Sequence, residues 1–63
     1  MIWYEDKKGR ITGRMYEAGA SWGAEIGRQG KFGFVATHSK KCRTYNEAER
    51  FLLENGCVCS AVA

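Results

Sequence analysis

From Ser21 to Thr37 residues alternate in character through two successive runs, and nothing constrains the fold of this chain more. In the first run Trp22, Ala24 and Ile26 fall on one side and Gly23, Glu25 and Gly27 on the other. In the second, Phe32, Phe34 and Ala36 oppose Lys31, Gly33, Val35 and Thr37. A period of two is the strand signature, and two such runs around a glycine-containing turn predict an antiparallel hairpin. A two-residue Gln29-Gly30 turn pairs Ile26 with Gly33 and sends both phenylalanines to the face away from Trp22. A three-residue loop, Arg28-Gln29-Gly30, pairs Ile26 with Phe32, Ala24 with Phe34 and Trp22 with Ala36. It also sets Gly30 at the left-handed position of a type I turn plus bulge. The three-residue loop is the expected one, because a slip of one residue moves two aromatic rings into water.

The flanking segments extend this hairpin. Ile2–Glu5 reads as a first strand, Asp6-Lys7-Lys8-Gly9 as a turn, and Ile11–Ala18 as a second strand. A Gly19-Ala20 turn puts Ile11 and Met15 on the face of Trp22 and Ala24, with Thr12, Arg14 and Tyr16 opposite, beside Glu25 and Lys31. A three-residue Ala18-Gly19-Ala20 loop reverses this; the shorter turn is preferred, since it buries two aliphatic side chains and exposes an arginine. After the sheet, Thr44-Tyr45-Asn46-Glu47 fits a capping box. Tyr45, Ala48, Phe51 and Leu52 then share one helical face, Glu47, Arg50 and Glu54 point outward, and Asn55-Gly56 is a left-handed stop. The expected fold is α+β: a three- to four-stranded antiparallel sheet with one C-terminal helix near 44–55 on one face. Trp22, Ile26, Phe32, Phe34, Phe51 and Leu52 are the expected core. Residues 57–62 either add a short last strand or trail over the core.

At 63 residues only a single small domain is expected. The uncharged runs fall short of the ~18 apolar residues of a membrane span, and residues 1–16 lack the pattern of a secretion signal. Three cysteines, an odd number, argue against a disulfide framework, so a cytoplasmic protein with no membrane contact is expected. Catalysis has little to work with. His38 is the sole histidine, and an extended chain separates it from Cys42 by about 13 Å, too far for a proton transfer. No cofactor and no enzymatic activity are expected. His38, Cys42, Cys57 and Cys59 match zinc in number, but His-x3-Cys and Cys-x-Cys are poor spacings and core packing is the better reading of the cysteines. The glycines form no phosphate loop. Gly23, Gly27 and Gly33 on the face away from the helix either accommodate strong twist or leave that face low, open to another backbone or a phosphate chain.

Charge is unevenly placed. Residues 1–43 hold nine Lys or Arg against four acidic residues, a net +5, while residues 44–63 hold one against three, a net −2. A basic front and an acidic back favour an oriented approach to a polyanion. Trp22-Gly23-Ala24-Glu25-Ile26, a hairpin turn, an aromatic strand and Thr44-x-x-Glu47-Ala48-Glu49 together are similar to the AP2-type domain. Its relatives are the arm-site-binding N-terminal domains of phage and transposon integrases. The likeness spans Trp22 to Leu53. It implies a three-stranded sheet with one packed helix that reads DNA with the exposed sheet face, Glu25 looking outward. Arg10 and Arg14 stand loosely where the family has an arginine pair, and Gly27 stands where it tends to have a basic residue.

Two classes of function follow. In the first, the chain is a small non-catalytic nucleic-acid-binding module. Arg14, Arg28, Lys31, Lys40, Lys41 and Arg43 contact phosphates, and Tyr16 stacks on or contacts a base. In the second, it is an interaction protein of the size and type that phages encode, such as an anti-CRISPR inhibitor docking on a host defence nucleoprotein complex. The same exposed residues, Glu25 among them, then meet the partner.

Overall fold

The computed structural model describes residues 1–60. The chain runs β1 (Ile2–Glu5), β2 (Ile11–Ala18), β3 (Ser21–Gly30), β4 (Gly33–Cys42), α1 (Tyr45–Glu54) and β5 (Cys59–Ser60). All strands join one antiparallel sheet in the order β4-β3-β2-β1-β5. The first four form a meander, α1 lies across one face, and β5 adds a two-residue rung to β1. The α+β architecture is the one expected. Of the alternatives for 57–62, a last strand forms at Cys59–Ser60, and residues 61–62 lie outside the described residues. Among the described residues no helix is long and apolar enough to cross a membrane.

The Gly19-Ala20 turn closes the β2–β3 hairpin as expected, with Ala18 opposite Ser21. Met15 therefore faces Ala24, both fully buried under the helix, and Arg14 faces Glu25 on the other side. Two expectations for β2 fail nearby. The register skips Thr12 between the Tyr4–Gly13 and Glu5–Ile11 pairs, so alternation breaks there. Thr12 Oγ1 lies 3.6 Å from Cys57 Sγ instead of joining Arg14, and Ile11 is not part of the core cluster.

The β3–β4 hairpin corrects the sequence reading. Its turn is Lys31-Phe32, between the paired Gly30 and Gly33, and β4 runs on to Cys42. A bulge then resets the pairing, from Gly27 opposite Ala36 to Ile26 opposite His38, and Thr37 is the extra residue. Trp22 consequently pairs with Cys42 and Ala24 with Lys40, not with Ala36 and Phe34. Phe32 sits at the turn tip, 98% exposed, and Phe34 lies on the face away from the helix. Neither is core. The expectation failed because it assumed that both rings needed the helix; Phe34 finds Trp3 instead.

The core comprises Tyr4, Met15, Ala24, Cys42, Ala48, Leu52 and Cys57, with Ile2, Trp22, Ile26 and Phe51 packed against it. Helix α1 starts as its sequence dictates: Thr44 Oγ1 accepts the Glu47 amide at 3.2 Å. Glu47 reaches back one residue further than a capping box requires, taking the Arg43 amide at 3.3 Å. At the other end Gly56 is left-handed, and the Cys57 amide bonds to the Leu52 carbonyl at 3.1 Å, closing a Schellman turn.

The phenol of Tyr4 reaches through this core and donates to Glu49 Oε2 at 2.8 Å, an oxygen that Tyr45 also approaches at 3.4 Å. Burial first, and then this bond to a carboxylate, push the Tyr4 phenol well above its ordinary value. Burial likewise raises the thiols of Cys42 and Cys57. Each group therefore holds its proton more tightly folded than unfolded. Their stabilising contribution is complete below the unfolded values, about 8.5 for a thiol and about 10 for a phenol, and is lost as pH rises past them. Thermal melts should show a falling midpoint from about pH 8.5 upward. A midpoint unchanged to pH 10.5 would contradict the burial of these groups.

Candidate nucleic-acid interface

The sheet face opposite α1 is covered by no described element. Strand pairing writes its first row as Trp3 on β1, Arg14 on β2, Glu25 on β3 and Ser39 on β4. A second row holds Tyr16, Gly23 and Lys41. Phe34 joins from further along β4, and the small pair Gly27 and Ala36 lies between it and the first row.

These side chains form an ordered patch. The Trp3 and Phe34 rings meet edge to face, centroids 5.4 Å apart at 73°. The Arg14 guanidinium lies 5.5 Å from the Trp3 centroid and 4.9 Å from that of Phe34. Its Nε donates to Glu25 Oε1, and both partners are half-buried. Each cation–π contact in such a setting contributes about 0.5–1 kcal/mol. The Arg14 side chain is thus fixed by two rings and a carboxylate. The Tyr16 phenol covers Gly23, where a Cβ would stand 2.5 Å from its ring.

No family model, curated protein or solved structure matches this chain.

Of the residues that sequence reasoning assigned to binding, Arg14, Tyr16, Glu25 and Lys41 share the helix-free face. Lys40 and Arg28 do not. Lys40 pairs with Ala24 and holds its ammonium 5.8 Å over the Phe51 ring on the helix side. Arg28 pairs with Val35, also on the helix side by alternation, and borders an open hollow of about 560 Å³ with Arg10 and Ile11. Lys31 stands at the hairpin tip and Arg43 in the connection to α1. Sequence reasoning missed Trp3 and Phe34. A pairing register for β1 would have found Trp3 beside Arg14, but the short Ile2–Glu5 strand carries no signal that fixes it.

The remaining candidates stay apart. His38 is exposed and within 3.1 Å of the Thr37 hydroxyl, whereas Cys42 and Cys57 are buried in the core. The Cys59 side chain lies outside the described residues. Among the described residues no three His, Cys, Asp or Glu side chains cluster to hold a metal. Asp6, at the β1–β2 turn, accepts the backbone amides of Arg10 and Lys8 and pairs with the Arg10 side chain. These bonds, the Arg10 amide foremost, lower its carboxyl below the usual carboxylate range and fix the turn.

Proposed function

We propose that this chain is a small non-catalytic nucleic-acid-binding module that presents the helix-free sheet face to its ligand. The observation that carries the reading is the Trp3–Arg14–Phe34 patch, with Tyr16 and Lys41 beside it, on a face that no described element covers. Helix α1, on the opposite side, bears Glu47, Glu49 and Glu54 against the single Arg50, so the helix itself offers a polyanion no net attraction.

The test is a fluorescence-anisotropy titration with mixed DNA and RNA oligonucleotides over a range of NaCl concentrations. Binding should weaken steeply with salt. Lys41→Ala should reduce the log–log salt slope by about 0.7–0.9, the value of one phosphate contact. Lys40→Ala should leave the slope unchanged, because that ammonium sits over Phe51 on the other side. A flat titration of the unmutated protein overturns the proposal. It leaves the protein-docking alternative, an inhibitor that occupies a host nucleoprotein complex through the same aromatic patch.

A further inference from the structure

We infer, resting on the nucleic-acid reading above, that the ligand is single-stranded, with its bases stacked on the Trp3–Arg14–Phe34 patch and on Tyr16. Three observations lead there. The first is the kind of group displayed. Two aromatic rings, one guanidinium plane and a phenol share a face with the small residues Gly23, Gly27, Ala36 and Ser39. Planar side chains on an open sheet take up unstacked bases, and they do so with little regard to sequence, because every base has a π-face.

The second is the scarcity of free positive charge on this face. Arg14 is held by Glu25 through Nε, and Lys41 is the other cation of the two rows. A duplex presents its phosphates outward and keeps its bases stacked on one another, so it meets such a surface through its backbone. It would gain one lysine, and the Glu25 carboxylate would stand against it. A single strand can turn its bases to the rings and leave its phosphates to the rim, where Lys31 and Arg43 lie.

The third is spacing. Tyr16 and Arg14 are two residues apart on β2, about 7 Å along the strand. That is twice the ~3.4 Å rise between stacked bases of a duplex strand. Bases lying flat on two side chains this far apart across the sheet lie side by side and not on one another, an arrangement open to an unpaired strand and closed to a stacked duplex.

The experiment uses the full chain and three fluorescent probes: a mixed-sequence 12-mer, its duplex, and a 12-mer with abasic sites throughout its centre. The single strand should bind more tightly than both other probes. Trp3→Ala and Phe34→Ala should each weaken single-strand binding by about five- to a hundredfold, the loss of one base stack, without changing the salt slope. Trp3→Phe keeps a ring at this position and should restore most of the affinity; it serves equally if the alanine variants fold poorly. Equal or tighter salt-dependent binding of the duplex, or undiminished binding of the abasic strand, overturns the inference and leaves the nucleic-acid reading standing. Failure of all three probes to bind overturns both.

Discussion

Leu52→Ala should lower the stability of this protein by about 2–5 kcal/mol, enough to unfold much of the population. Leu52 is fully buried at the centre of the helix–sheet contact. Chains of this length have roughly 3–9 kcal/mol to lose, by the usual yield per residue. The comparison that gives the result meaning is Phe32→Ala. Phe32 is as apolar and larger, yet it stands 98% exposed on a hairpin tip. Its removal should shift a urea midpoint by no more than about 0.5 kcal/mol equivalent. If the two variants exchange places in that titration, the β3–β4 register described above is wrong.

The second large effect is expected at Gly27→Ala. A Cβ at this position would stand 2.0 Å from the Val35 carbonyl oxygen and 2.8 Å from the Ala36 Cα. Both are backbone atoms, so no side-chain rotation relieves the clash. The strands must move apart beside the bulge, at a cost of about 3 kcal/mol or more, the upper end for overpacking. Gly23→Ala offers an instructive contrast, since the atoms nearest its Cβ would all belong to the Tyr16 side chain. That ring can swing aside, so the stability cost should be smaller. A circular-dichroism melt distinguishes the two variants. An alanine at 27 that melts with the parent would mean that β3 and β4 do not approach as described.

Local chemistry made part of this fold readable in the sequence. The bounds of β1 and β2, the Gly19-Ala20 turn, the Thr44 cap and the Gly56 stop depend on neighbours a few residues away, and each is found as expected. The β3–β4 register was not readable, because it depends on where a bulge sits, and nothing in the residues around Thr37 marks one. Assigning Phe32 and Phe34 to the core was reasonable while the helix offered their one cover. It failed because Phe34 takes its partners from β1 and β2, through a pairing invisible at sequence level. The same divide runs through the candidate interface. Arg14, Tyr16 and Glu25 were placed together because the β2–β3 register was readable. Lys40 and Lys41 were grouped as one basic run, but β4 extends through both and alternation sends them to opposite faces.

Among the described side chains, the buried thiols of Cys42 and Cys57 give this molecule a pair of internal clocks. Cys42 ends β4 opposite Trp22, and Cys57 follows the helix stop with its amide on the Leu52 carbonyl. A thiol reacts as its exposed thiolate, and burial withholds both exposure and charge. Alkylation at either position must therefore wait for that part of the chain to open. Peeling of the β4 end would release Cys42, while lifting of the helix C-terminus would release Cys57. Site-resolved labelling rates, followed by mass spectrometry, would time the two openings separately in the unmodified sequence. Ligand held on the helix-free face should slow the first clock more than the second, since β4 carries Phe34 and Lys41 on that face and α1 lies behind it.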